Sequence, residues 1–276
     1  MAPALFVRAI EQKDLETALA IANLDPISNC YLVSKLENWH GIDQQLLLVT
    51  DRNRNLGIAY IGINATTANC SYEMLTHLAD YLNTVRSVSS SIVGLREDVF
   101  GLWEQISSLW GPPRLIREDQ PLLELTSYVQ GDLNPEVRAA TIEDLDLVLP
   151  AAANMFREEV GIDPMKANTR TAYRNRISEL LNLGRTYILL DGPEIIFKAD
   201  VGVLSSEVIQ VQGVWVAPQY RGLRISGPAL AQAINLMQQD HAPRVSLYVN
   251  DFNTRALRLY RALGFTQVGT FASVML

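Results

Sequence analysis

A chain of 276 residues with 48% hydrophobic and 19% charged residues can fill two cores and is too apolar to remain disordered. Its net charge of −7 speaks against a general nucleic-acid binder, and no apolar run reaches membrane-spanning length. Cys30 and Cys70 have no partnering spacing, and His40, His77 and His241 fall in no ligating pattern, so neither a disulfide framework nor a metal site is expected.

The opening MAPALFVRAIEQKD meets charge too early for a secretory leader, so a cytoplasmic protein is expected, with no membrane and no nucleic acid among its partners. Val7-Arg8-Ala9 leads to Asp14-Leu15-Glu16. The same pattern returns as Val137-Arg138-Ala139 and Asp144-Leu145-Asp146, at a constant offset of 130 residues. Each copy reads as a short edge strand, a turn and a helix capped by residues around Gln12 or Thr141, with acids at the positive end of the helix dipole. The offset is close to a normal domain length, which points to a tandem duplication. Turn formers in Gln130-Gly131-Asp132-Leu133-Asn134-Pro135 put the boundary there, giving domains 1–130 and 131–276.

In the second half, helices are expected over 145–159 and 168–182, the latter closed by Gly184. Strands follow at 186–190, 194–204 and 208–216, where branched and polar residues alternate. Ser226 or Gly227 then opens a helix to 239. A strand at 245–249, a helix at 253–263 stopped by Gly264, and strand residues 265–269 and 270–276 finish the sheet. The fold class is α+β with a mixed, mostly antiparallel sheet flanked by helices. Strand 208–216 crosses by a helix to a parallel neighbour at 245–249.

The stretches Val214-Trp215-Val216-Ala217-Pro218-Gln219-Tyr220-Arg221-Gly222 and Leu247-Tyr248-Val249-Asn250, with Asn253, Leu259-Tyr260 and Gly264-Phe265 at their spacing, resemble the GNAT (Gcn5-related) N-acyltransferases. Glu158-Glu159-Val160-Gly161, Phe197-Lys198-Ala199-Asp200 and Gly269-Thr270-Phe271-Ala272 resemble a bacterial tandem-domain subgroup of them, with a degenerate GNAT-like first half. The resemblance implies two tandem GNAT-like domains, the parallel pair in the second splaying to admit acetyl-CoA as acyl donor. It implies acetyl transfer to a primary amine of a small molecule or peptide by direct attack in a ternary complex. Val214, Trp215 and Val216 are then the strand that the donor's pantetheine arm runs beside, and a main-chain N–H there polarises the thioester carbonyl. Arg221, Gly222, Leu223, Arg224, Ile225, Ser226 and Gly227 form the diphosphate loop at a helix N-terminus. Asn253 contacts the arm, and Asn250 joins it. Tyr260 is the expected proton donor to the leaving thiolate.

Two departures from the family pattern matter. Arg224 and Ser226 stand where small residues are usual. At positive φ Arg224 costs about 1–2 kcal/mol; at negative φ it costs almost nothing and offers its guanidinium to phosphate. Ser226 is a natural helix cap, and Pro228 is tolerated in the first turn. The second departure is Tyr248, where the family's protein-N-terminal acetyltransferases often carry glutamate. Glu207, at the head of the central strand, is nominated as base ahead of Glu158 and Glu159. These departures support an alternative, a weak or inactive CoA-binding or regulatory module.

In the first half, 91–95 resembles the strand at 245–249 and Trp103 stands where Tyr260 does. Indole donates no useful proton, and Ala68-Asn69-Cys70-Ser71 offers neither arginine nor glycine for phosphate. A non-catalytic domain is expected, with Trp39, Trp103 and Trp110 in its core.

Overall fold

The computed structural model describes residues 6–41, 45–85 and 89–276. The chain forms two compact units. Met1–Leu123, Tyr248–Leu257 and Gln267–Leu276 make the first; Glu124–Leu247 and Arg258–Thr266 make the second.

The first unit takes, in chain order, β1 (Val7–Ala9), α1 (Leu15–Ala22), α2 (Cys30–Glu37), β2 (Leu46–Thr50), β3 (Leu56–Ile61), β4 (Asn64–Ala68), α3 (Tyr72–Val85), β5 (Ser91–Leu95), α4 (Arg96–Trp110) and β6 (Leu115–Leu125). The run Leu46-Leu47-Leu48-Val49 is buried on both faces, as an unbroken apolar strand requires. β1, β2, β3 and β4 pair antiparallel in order, and β4 pairs parallel with β5 through Asn64↔Ser91 and Ala65↔Ile92.

The second unit repeats this plan with β7 (Arg138–Ala139), α5 (Leu145–Val160), α6 (Arg170–Asn182), β8 (Thr186–Asp191), β9 (Glu194–Leu204), β10 (Val208–Val216), α7 (Ser226–Asp240) and β11 (Arg244–Tyr248). β7, β8, β9 and β10 pair antiparallel, and β10 pairs parallel with β11. The remaining elements are α8 (Thr254–Ala262) and β12 (Thr266–Met275).

The repeat reaches side-chain detail. Arg8 holds Asp14 by two bonds of 2.6 and 2.8 Å, and Arg138 holds Asp144 by two of 2.8 Å. Each aspartate also accepts the main-chain N–H three residues earlier, from Glu11 at 2.9 Å and from Thr141 at 2.8 Å. The cap in the first copy therefore falls at Glu11 rather than Gln12.

These bonds, the arginine's foremost, hold both carboxyls down to about 2. An aspartate lowered from about 4 contributes stability that is complete above pH 4 and lost as pH falls through 2. Asp144→Asn should therefore cost about 1–2 kcal/mol at pH 6 and flatten the decline between pH 4 and 2, measured by urea unfolding across that range.

One expectation is overturned. The last strand was to finish the sheet of the second half, in two pieces. β12 is instead a single strand of the first unit, antiparallel to β5 from Phe271↔Leu95 to Met275↔Ser91 and lying between β5 and β6. Ala272 and Val274 bury there against Leu78, Leu82 and Ile92, and this apolar seam decides the pairing. Compact packing thus breaks the chain near 123 and returns its C-terminal segments to the first unit, whereas the sequence suggested one break at 130.

Trp103 and Trp110 pack on the first unit's core and Trp39 is buried in it, as expected. Among the described residues no helix is long and apolar enough to cross a membrane.

Candidate active site

In the second unit, Val214, Trp215 and Val216 close β10, and the loop after them leads to the start of α7. The parallel register of β10 with β11 runs only from Val208↔Arg244 to Gln210↔Ser246, while β10 continues to Val216. On its other edge β10 opposes β9 through Gln212↔Asp200 and then Trp215↔Lys198, so β10 carries one extra residue. This is a β-bulge, and Gly213 supplies its left-handed backbone at φ 63°.

Below the bulge lies a buried polar cluster that reasoning from the sequence did not assign. The Lys198 ammonium, with no exposed surface, bonds to the Asp200 carboxylate. The Thr186 hydroxyl donates to the other oxygen of Asp200 at 2.9 Å. Burial and then the Asp200 charge raise the Tyr173 hydroxyl above the usual phenol range. The signal available was a lysine and an aspartate two apart inside an apolar strand, where charges are seldom found.

Trp215 is buried against α5, while Val214 and Val216 are half-buried. Glu158 on α5 accepts Trp215 Nε1 at 3.3 Å and the Arg221 guanidinium at 2.6 Å. Arg221 also donates to the Val216 carbonyl at 2.9 Å. Glu158 is thereby a structural anion tying α5 to the end of β10, and Arg221 braces the loop.

The loop itself contains a 3-10 turn at Pro218–Tyr220, then Gly222 at φ 88° and Arg224 at φ 62°. Of the two conformations open to Arg224, the structure adopts the left-handed one. The Arg221 amide bonds to Pro218 at 3.2 Å and the Leu223 amide to Tyr220 at 3.4 Å, so these two N–H groups turn into the loop. The amides of Arg224, Ile225, Ser226 and Gly227 open α7, where no intrahelical acceptor exists. Ser226 is the first helical residue and makes no capping bond; the cap position is Ile225. A side chain added at Gly222 would meet nothing within 4 Å, so the ground above the turn is open.

Tyr260 is buried, its ring edge-on to Phe265 at 5.9 Å. Burial first and the Glu159 charge second push its hydroxyl up to about 12. Glu159 is therefore within electrostatic reach of Tyr260.

Glu207 is not brought to this place. It is exposed and precedes β10, its carbonyl accepting the Arg244 amide at 3.2 Å. At the strand rise of about 3.3 Å per residue, it stands roughly 20 Å from the bulge end. A position at the head of the central strand is the wrong end for a base.

Asn250 and Asn253 belong to the first unit by compactness. Asn250 accepts Gln120 Nε2 at 3.1 Å, and Asn253 caps α8 by accepting the Ala256 amide at 3.2 Å. Tyr248 leans on Phe271, with ring centres 5.2 Å apart.

The corresponding place in the first unit is shrunken. Residues 69–71 alone join β4 to α3, with Asn69 at φ 56° and the Cys70 thiol turned toward the carbonyls of Ile58 and Ala68. Burial, with a smaller effect of Asp98, pushes that thiol up to about 12. Among the described residues no group of three or more His, Cys, Asp or Glu side chains is placed to hold a metal ion.

Residues 45–148 match the family model described as a domain of unknown function (DUF4081), and residues 169–265 match the acetyltransferase (GNAT) family model. No curated protein matches the chain. Solved structures do. A GNAT-family acetyltransferase from Colwellia psychrerythraea is 12% identical with a TM-score of 0.59, covering 98% of this chain and 99% of its own. GCN5-related N-acetyltransferases from Sphaerobacter thermophilus (15%, TM-score 0.58, 100% and 97% covered) and Kribbella flavida (14%, TM-score 0.56, 94% and 95% covered) are also similar. At these identities the likeness is one of fold, and it spans both units. Residues 169–265 are the stretch through which the chain is similar to the GNAT acetyltransferase family.

Proposed function

We propose that the protein is an acetyl-CoA-dependent N-acetyltransferase of the cytoplasm, moving an acetyl group to a primary amine by direct attack in a ternary complex. Residues 131–276 carry the activity and residues 1–130 are non-catalytic. The observation that carries this reading is the parting of β10 from β11 after Gln210, followed by a bulge, an open turn and the amide-bearing start of α7. A splayed strand edge fits an extended amide-rich arm, and four N–H groups at a helix start fit a diphosphate.

The donor's contribution is an activated thioester; the protein's is placement. The free N–H groups of 224–227 and the Arg224 guanidinium bind the diphosphate. Main chain at Val214 and Val216 holds the arm and donates to the carbonyl as charge develops. Tyr260 keeps its proton at neutral pH and offers it as a hydrogen bond to the departing sulfur. The amine's proton leaves through water or through Glu159, whose charge reaches Tyr260.

Thermal unfolding tests the reading. Acetyl-CoA and desulfo-CoA at about 100 times Kd should each add about 2.7 kcal/mol, raising Tm by several degrees. No shift discards the enzyme. A shift without thioester turnover across a panel of amines supports the regulatory module.

Arg224→Gly separates strain from binding in the same assay. Relief of the left-handed arginine should raise ligand-free stability by about 1 kcal/mol. Loss of a charge-assisted bond should weaken acetyl-CoA roughly tenfold. Unchanged affinity would remove the guanidinium from the phosphate site.

A further inference from the structure

The Lys198–Asp200 pair is costly where it stands. Lys198 is 0% exposed and Asp200 4%, within a strand whose neighbours Ile195, Phe197 and Val201 are apolar and buried. Two buried charges seldom stabilise a fold as well as apolar side chains of the same volume. The pair also straddles the bulge, Asp200 lying opposite Gln212 and Lys198 opposite Trp215. A Cβ built on Gly213 would lie 2.8 Å from Asp200 Oδ2, 3.2 Å from Lys198 Nζ and 3.2 Å from Met155 Sδ. The ion pair and α5 therefore fill the place of the absent side chain.

From this geometry we infer that Lys198 and Asp200 are positioning residues: they hold the Gly213 bulge in register so that the main chain at Val214 and Val216 faces the acyl donor. The inference rests on the transferase reading for its purpose, though the bulge and pair do not. An extra residue in a ladder can anneal by a one-residue slip, which turns every following side chain to the opposite face. Here such a slip would bring a side chain onto the buried ions and carry Trp215 off Glu158. Thr186, bonded to Asp200, fixes the carboxylate from the neighbouring strand β8. The pair contacts no reacting atom; it acts through the backbone of 213–216.

The test is the double variant Lys198→Met/Asp200→Val, which removes both charges and stays near the pair's combined volume. Its Tm should equal or exceed that of the wild type, because such swaps are commonly neutral or stabilising. Hydrogen exchange at the Trp215 and Val216 amides should quicken about tenfold or more, which corresponds to about 1.4 kcal/mol of lost local protection. With acetyl-CoA and a turned-over amine, kcat should fall about 100-fold, the usual cost of misplacing one donor, while acetyl-CoA affinity stays within about threefold.

A folded double variant with wild-type exchange at 215–216 and wild-type kcat overturns the inference. If the double variant does not fold, Asp200→Asn, which keeps the shape and the Thr186 bond, decides by the same readouts. Faster exchange supports positioning, and wild-type exchange and kcat overturn it. A wild-type protein that neither binds nor turns over acetyl-CoA would sink the transferase reading alone, since the exchange measurement needs no donor.

Discussion

Tyr260→Phe is expected to lower kcat about 100-fold while leaving acetyl-CoA affinity within about twofold. The hydroxyl, pushed up to about 12 by burial and by Glu159, keeps its proton throughout the working pH range. A thiol's usual value is near 8.5, so full transfer of the phenolic proton to a departing thiolate runs uphill by roughly 5 kcal/mol. The tyrosine therefore acts mainly by hydrogen-bonding the sulfur as its charge grows, and the proton released by the amine neutralises it afterwards. That argument sets the size of the effect at the lower end for acid–base residues. It also sets the pH profile: turnover should not decline from loss of the phenolic proton below about pH 11. The ring's contact with Phe265 survives the substitution, so Tm should move by less than a degree or two. Equal kcat in the two proteins would end the catalytic role, and a parallel loss of acetyl-CoA binding would make Tyr260 a wall of the site instead.

The regular elements were readable because their periodicity is local. The strands at 194–204 and 208–216 and the helices on either side stand where alternation, glycine stops and turn residues put them. The 130-residue repeat was legible too, down to the Arg8–Asp14 and Arg138–Asp144 pairs that its Arg and Asp positions become. What lay out of reach depends on partners distant in the chain. Nothing in Thr266–Met275 says that its apolar face will lie against Ile92 rather than within its own half. The φ of Arg224 follows from how a short turn must join β10 to α7, which no single residue states. Glu207 was misplaced for a related reason: a strand has two ends, and residue order alone does not say which one carries the site. Lys198 and Asp200 carry a family likeness but no legible role, since a sequence shows that two charges share a strand face but not that the face is dry.

The bulge supplies the larger effect on stability. Gly213→Ala should destabilise the protein by about 3 kcal/mol, the sum of two separable costs. A left-handed φ of 63° penalises any Cβ by about 1–2 kcal/mol. Overpacking adds about 1–3 kcal/mol, because the new methyl would lie 2.8 Å from the Asp200 oxygen that Lys198 binds, on a carboxylate whose other oxygen Thr186 holds. Gly222→Ala isolates the first cost. Gly222 has φ 88° but open space on every side, so alanine there should cost about 1 kcal/mol and no more. Urea unfolding of the two variants beside the wild type measures the difference as a shift in midpoint at constant slope. Equal losses at 213 and 222 would mean that the ion pair yields freely to an added methyl. A pair that yields so easily could not hold the bulge in register, and the positioning of Val214 and Val216 would have to come from α5 and the Trp215–Glu158 bond alone.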